Sequence, residues 1–204
     1  MSSTVKFNDP PFAQFLFADS RTAWLWLALR VWLGWEWLSH GWAKVNNPAW
    51  MDGGAALKGY WTKAVTVPEQ GSPAVVYDWY RGFLQMLLES GQYTWFAKLV
   101  VFGEIAIGLA LILGAFTGVA AVFGVFMNWH FVMAGTASSN AMLALTGMML
   151  ILAWKNAGWI GLDRWLLPMI GTPWQRHADD DEPSINVQRP PAGAVPVTAE
   201  GRAP

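Results

Sequence analysis

The sequence predicts an all-α integral membrane protein, a bundle of four transmembrane helices with an amphipathic helical segment between helices 1 and 2. Hydrophobic residues make up 54% of the 204-residue chain and charged residues 13%, whereas soluble domains average about 25% charged residues. Four long apolar segments are separated by short or polar connections. The 15 tryptophans are typical of side chains that lie at the two bilayer interfaces.

Net charge and cysteine content exclude several classes of function. The formal net charge is −1, so the chain has no basic surface of the kind that binds nucleic acid. Cysteine is absent, which excludes disulfides, catalytic thiols and thiolate-bound iron–sulfur or zinc sites. No metal site is predicted. The partner that composition does predict is the lipid bilayer.

The first predicted span covers residues 21–45, after a lead-in of residues 1–20. It exceeds the roughly 20 residues that a helix needs to cross a bilayer, yet it carries ionisable side chains. On a helical wheel these fall within one stripe, and the opposite face is Trp, Leu, Ala and Val. Such a stripe needs partner helices to cover it. Its members are Arg30, Leu33, Glu36, Trp37, His40 and Lys44.

The segment that follows, residues 46–94, is too polar to cross the membrane. Within it we predict one amphipathic helix, capped by Ser72, with Pro73 in its first turn and an end at Gly91. Its apolar face would lie flat on the membrane or over the bundle. Residues 53–61 predict a shorter helix or a re-entrant turn.

Three further spans are predicted at residues 95–113, 119–134 and 141–159. The five-residue connection GAFTG makes the second and third spans antiparallel neighbours. An interfacial helix stopped by Pro168 would close the membrane domain, residues 21–168, and the Pro-rich, charged segment 169–204 is predicted to be a disordered tail. Four spans place both termini on one side. Basic residues are equally divided between the two sides of the membrane, so their distribution does not decide which side holds the termini.

Titratable groups from three spans are predicted to lie at matching depths. We call the side of the membrane that carries residues 46–94 the loop side. Counting about 1.5 Å per helical residue, Glu36 and Glu104 lie about 13 Å below it, and His40 and His130 about 6–8 Å below it. Asn128 would lie one layer deeper than His130.

A cluster of this kind suits a quinone site, because glutamate and histidine can pass protons and hydrogen-bond the ring oxygens. Two carboxylates at equal depth could also share a proton. Structural alternatives stay open. Glu36 could have a purely structural role by pairing with Lys44 or Arg30, and both histidines could form hydrogen bonds only with the backbone or with water. The two histidines could also be axial haem ligands on facing helices, which is the less favoured alternative.

Four segments resemble the DoxX family of small prokaryotic membrane proteins, and in particular its DoxD-like branch. They read RVWLGWEWLSHGWAKVNNPAWMDGGAALKGYW, WFAKLVVFGEIAIGLALILGAFTG, FMNWHFVMAGTASSN and LILAWKNAGWIGLDRWLLP. The resemblance implies a four-helix, multi-pass protein of the prokaryotic plasma membrane with both termini cytoplasmic. It also implies a subunit of thiosulfate:quinone oxidoreductase type that works with another protein chain. The positions that match are Arg30, Glu36, His40, Gly53, Gly54, Glu104, Asn128 and Asn140.

The leading hypothesis is therefore a membrane redox subunit of the respiratory chain that passes electrons from thiosulfate, oxidised to tetrathionate, to quinone as its cofactor. The catalytic candidates are Glu36, Glu104 and His40, and the candidates for binding quinone are Arg30, Asn128, His130 and Asn140. The alternative is a non-catalytic accessory or anchor subunit of a larger redox complex. Mid-span carboxylates also leave open a transporter or proton path.

Overall fold

The computed structural model describes residues 9–136 and 138–171, and these residues are all-helical, without strands. The chain divides into two units, Met1–Trp174 and Gln175–Pro204, and every described residue belongs to the first. The α-helices in the described ranges are α1 (Pro11–Ala18), α2 (Ala23–Val45), α3 (Pro48–Met51), α4 (Ala55–Val65), α5 (Asp78–Glu89), α6 (Tyr93–Leu113), α7 (Thr117–Met133), α8 (Asn140–Leu152), α9 (Trp154–Gly158) and α10 (Asp163–Met169).

Helices α2 and α6 form the most extensive helix pair, and they run antiparallel. Glycines let the two backbones touch: a Cβ atom on Gly108 would lie 2.6 Å from the backbone nitrogen of Leu38 and 2.8 Å from the carbonyl oxygen of Gly34. Gly41 on α2 makes a second close contact of this kind, with the backbone of Ile105 on α6. Small residues at such positions are typical of close packing between helices in membranes.

Helices α7 and α8 form a second antiparallel pair, with Gly147 packed against Val125. The two pairs bury a common core that includes Trp26, Leu33, Leu111 and Leu150. Helices α6 and α7 share a much smaller contact than either pair, so a groove remains between them.

The predicted four-span bundle is not confirmed. Among the described residues, only α6 is both long and apolar enough to be a clear candidate for a membrane span, and α7 and α8 are shorter apolar helices. Helix α2 has 23 residues, but its charged residues and tryptophans lower its mean hydropathy. Large apolar side chains are nevertheless exposed on α2, α6, α7 and α8, among them Trp24, Trp35, Phe102, Leu109, Phe123, Phe126, Leu145 and Leu152.

The fourth predicted span is wrong as a continuous helix. Helix α8 ends at Leu152, and the short helix α9 follows after Ala153. The Asn156 side chain in α9 donates hydrogen bonds to the carbonyl oxygen of Asp19 (2.8 Å) and to the Thr22 hydroxyl (2.7 Å). These bonds fix α9 against the N-terminal segment, where no local sequence signal would place it.

On the loop side, the amphipathic helix is shorter than predicted. Helix α5 begins at Asp78 rather than after Ser72, because residues 73–77 are not helical and bury Val75 in a second core cluster. The close approach of Ala74 to Gly135 holds this non-helical segment against the end of α7. Residues 55–65 form α4, so a helix rather than a re-entrant turn occupies most of the predicted 53–61 segment.

Both ends of the chain carry predictions that the structure tests only in part. Within the lead-in, α1 is a helix, and the indole nitrogen of Trp26 donates to the carbonyl oxygen of Leu16 (2.7 Å). Helix α10 extends one residue past Pro168, so the first residue of the predicted tail is helical. Residues 1–8 and 172–204 lie outside the described residues, and so does most of the tail.

Candidate functional site

A buried ion pair joins α2 to α6 near the loop side. The ammonium group of Lys44 contacts Oε1 of Glu104, whose side chain is 2% exposed, whereas that of Lys44 is 21% exposed. Lys44 also lies 5.0 Å from the ring centre of Trp50 and 5.6 Å from that of Phe131, which is on α7. Sequence analysis placed Lys44 in the polar stripe of α2 but did not predict this pairing with Glu104.

Helices α2, α6 and α7 also carry buried polar atoms that have no hydrogen-bond partner among the described residues. They include Oε2 of Glu104, both amide atoms of Asn128 and the indole nitrogen of Trp37. The Trp37 nitrogen lies 3.2 Å from the Cβ position of Gly124, and Asn128 is one turn beyond Gly124 on the same face of α7. We call Trp37, Lys44, Glu104 and Asn128 the polar layer.

The other two catalytic candidates lie at the edge of this region. Glu36 is half-buried and makes no hydrogen bond or ion pair with its side chain in the described ranges, so it pairs with neither Lys44 nor Arg30. Gly41 faces Glu104, and Glu36 lies five residues before it, about 140° around α2. The two glutamates are therefore not brought together. His40 is exposed, donates from Nδ1 to the Glu36 carbonyl oxygen (2.7 Å), and lies close enough to interact electrostatically with Glu104.

Arg30 lies far from the other candidates, near the opposite end of α2. Its guanidinium is buried and donates to the carbonyl oxygen of Ile160 (2.8 Å), beside Gly114 and Gly161. Fourteen residues separate it from Lys44, which corresponds to about 21 Å along the helix. Arg30 therefore lies away from the loop-side candidates, and its role in binding quinone stays a prediction.

Asp163 is a buried residue that sequence analysis missed. Its carboxylate accepts hydrogen bonds from the backbone nitrogens of Phe116 (2.5 Å) and Thr117 (2.8 Å), and so caps the N-terminus of α7. The cap comes from 47 residues further along the chain, so no local pattern reveals it. The connection between α6 and α7 is correspondingly tight, only residues 114–116.

A groove of about 780 Å³ runs between α6 and α7 on the side away from α2. Small residues line its floor on α6, at Gly103, Ala106 and Ala110, and the lining is almost entirely apolar. Its loop-side end is covered by α4 and α5. Polar side chains lie only at that end, and they are Tyr60, Tyr80 and His130.

Tyr80 and His130 form a hydrogen-bonded pair at the loop-side end of the groove. The Tyr80 hydroxyl lies 3.0 Å from Nδ1 of His130 and 3.2 Å from its carbonyl oxygen. Burial raises the pKa of Tyr80 to about 12, with a smaller contribution from Tyr60, so the phenol stays protonated at neutral pH. Nε2 of His130 has no hydrogen-bond partner in the part of the chain that is described, whichever tautomer the ring adopts.

The remaining polar candidates occupy separate places. The Tyr60 hydroxyl forms a hydrogen bond with the hydroxyl of Thr136, and this bond holds α4 against the end of α7. Burial raises the pKa of Tyr60, and the hydrogen bond to Thr136 opposes this shift. Asn140 begins α8, lines neither the groove nor the polar layer, and has no side-chain hydrogen bond among the described residues. Each histidine has its own hydrogen-bond partner: His40 bonds the Glu36 carbonyl oxygen and His130 bonds the Tyr80 hydroxyl.

Comparison with known proteins gives one family. Neither the curated proteins nor the solved structures contain a match to the chain. Residues 25–176 match the family described as "TQO small subunit DoxD", and TQO denotes thiosulfate:quinone oxidoreductase. The match covers helices α2 to α10, including the polar layer and both sides of the groove. The chain therefore belongs to the DoxD family of membrane redox subunits.

Proposed function

We propose that this protein is a quinone-linked membrane redox subunit that binds quinone in the groove between α6 and α7. The observation that carries the proposal is the composition of the groove, which is apolar along its length and polar only at the Tyr80–His130 end. A quinone has the same division between a polar head group and an apolar tail. The residues present therefore fit the group that the family name implies.

The head-group end is suited to both redox states of a quinone. A bound quinone supplies an acceptor of two electrons and two protons. Nε2 of His130 can donate a hydrogen bond to a carbonyl oxygen of the oxidised form or accept one from a hydroxyl of the reduced form, because its tautomer can change. The protonated phenol of Tyr80 holds Nδ1 of the same ring, so it sets the orientation of the imidazole.

The electron donor proposed from the family is thiosulfate. Oxidation of two thiosulfate ions to one tetrathionate releases two electrons, which matches the reduction of one quinone. The chain has no cysteine to hold a redox centre, so a second protein chain is proposed to contribute to this step. In this chain the polar layer is the proposed place for proton handling, by Glu104 with His40 at its exposed edge. The proposal assigns no role to Glu36, Asn128 or Asn140.

The test compares two tyrosine variants of this protein, each purified together with its partner chain and placed in lipid nanodiscs. Tyr80→Phe should lower the rate of thiosulfate-dependent quinone reduction and raise the KM for quinone, because the imidazole of His130 loses its partner. Tyr77→Phe is the matched control, since Tyr77 is exposed and outside the groove. Equal rates and equal KM values in both variants would contradict the proposed role of the Tyr80–His130 pair.

The rival function is that of a non-catalytic anchor subunit, and the outer surface of α5 favours it. Trp79 and Met86 are exposed on α5, and Val76 and Tyr77 are exposed just before it, so this segment offers an apolar face to a partner chain or to the bilayer surface. The DoxD family description, a small subunit, agrees with a partner. Co-purification of a partner chain, with no quinone bound by this chain on its own, would support the anchor function instead.

A further inference from the structure

The groove is long compared with a quinone ring, and its length is the basis of a more specific inference. It is lined by α6 residues from Phe96 to Ala110 and reaches Phe116 at the far turn. Fourteen helical residues correspond to about 21 Å. The Tyr80–His130 pair occupies only the loop-side end, so most of the groove is open to an apolar tail.

The charge of the lining argues against a phospholipid as the occupant. A phospholipid carries a phosphate, which proteins bind with Arg or Lys. Among the described residues, no lysine or arginine lines the groove, and the groups at its polar end are two tyrosines and a histidine. The lining therefore matches an uncharged head group.

We propose that the groove binds the isoprenoid tail of a long-chain quinone along Gly103, Ala106 and Ala110, and so selects quinones by tail length. This inference rests on the proposed function, because it takes the Tyr80–His130 end as the place of the head group. The groove is flanked by the exposed side chains of Leu99 on α6 and Phe123 on α7, so the tail enters sideways from the bilayer. Because lipid is as apolar as the groove, the hydrophobic effect does not favour either place for the tail. Selection by tail length therefore comes from packing of the tail against the small side chains of the groove.

The experiment measures binding by quenching of tryptophan fluorescence, with quinone expressed as a mole fraction of lipid in the nanodisc. Trp61 lines the groove and Trp129 packs 4.8 Å from the ring of His130, so both report on an occupant. We expect a long-tailed quinone to bind about fivefold more tightly than a tail-less analogue, a difference of the size that a few packing contacts supply. In Ala106→Phe this ratio should fall to about one.

The control variant is Ala28→Phe, which places the same side chain at an exposed position on α2, outside the groove, and should keep the fivefold ratio. Ala110→Leu is a second, milder block of the groove in case Ala106→Phe does not fold. Equal affinities for both quinones in the unaltered protein, or an undiminished ratio in both groove variants, would overturn tail selection while leaving the head-group site intact. Absence of quenching by either quinone would overturn the proposed function as well. A phospholipid that co-purifies in the groove and is not displaced by quinone would also overturn the inference.

Discussion

The pairing of Lys44 with Glu104 predicts an asymmetric response to loss of either partner. Lys44→Met would remove the ammonium group and leave the Glu104 carboxylate buried, 2% exposed and without a counterion in the polar layer. Glu104→Gln would instead leave Lys44, which is 21% exposed and lies against the rings of Trp50 and Phe131. The ammonium therefore keeps favourable neighbours, and the carboxylate does not.

The magnitudes follow from this difference in burial. Removing one partner of a buried ion pair costs about 3–5 kcal/mol when the remaining charge is uncompensated, and this range applies to Lys44→Met. Loss of a charged hydrogen bond whose other partner reaches solvent costs less, about 1.5–3 kcal/mol, and this applies to Glu104→Gln. The double variant should lose less than the sum of the two, because neither charge is then left unpaired.

The assay is the free energy of unfolding of the four proteins in mixed micelles of a mild detergent and a denaturing one. The double-mutant cycle should give a coupling energy above about 1 kcal/mol, with Lys44→Met the less stable single variant. Additive losses, or a loss below about 1 kcal/mol for Lys44→Met, would refute the reasoning that the Glu104 carboxylate is charged and depends on Lys44.

Three further predictions test the scaffold. Gly108→Ala should cost about 1–3 kcal/mol of unfolding free energy, because the added methyl group meets backbone atoms of α2, whereas Gly82→Ala meets no atom within 4 Å and should be neutral or stabilising. Asp163→Ala should cost about 2 kcal/mol by uncapping α7, and Asp163→Asn should recover part of this by keeping one acceptor oxygen; equal losses would contradict the capping role. Because the pKa of Tyr80 is about 12 in the folded protein and about 10 when unfolded, its contribution to stability should be complete below pH 10 and be lost as pH rises towards 12. A Tyr80→Phe variant should therefore lose less stability over that range, and an identical pH profile would contradict this.

Features of the fold that depend on local pattern were predictable from the sequence. The predicted span 95–113 corresponds closely to α6, since a long apolar run, with Lys98 and Glu104 as its charged residues, followed by Gly114, at φ 67°, specifies both a helix and its end. The amphipathic helix before it was also predictable, because apolar residues recur at helical spacing. Its start was not, since burial of Val75 in a non-helical segment is decided by packing against the end of α7.

Features that depend on contacts distant in sequence were not predictable. The break after Leu152 is stabilised by Asn156 bonding to residues more than 130 positions earlier. The α7 cap comes from Asp163, in a different helix. In both cases a single polar side chain satisfies backbone or hydroxyl groups that only the folded chain brings near it.

For the site, depth counting placed Glu36 level with Glu104 and His40 level with His130, and it gave no direction around the helix. Gly41 meets Glu104, and Glu36 lies five residues before Gly41, so it is about 7 Å further along α2 and on another face of that helix. Tyr80 was missed as a polar partner because it falls on the apolar face of an amphipathic helix. Its hydroxyl becomes significant only when α5 is placed over His130.

The most direct test of the account is the location of bound quinone. A quinone with a photoreactive azido group on its ring should, after irradiation in nanodiscs, label residues at the loop-side end of the groove, with Tyr80, Met127 and His130 as the sites found by peptide mass spectrometry. An excess of unmodified quinone should abolish this labelling. Labelling confined to α2 and α8, or labelling that excess quinone does not reduce, would contradict a head-group site at the Tyr80–His130 pair.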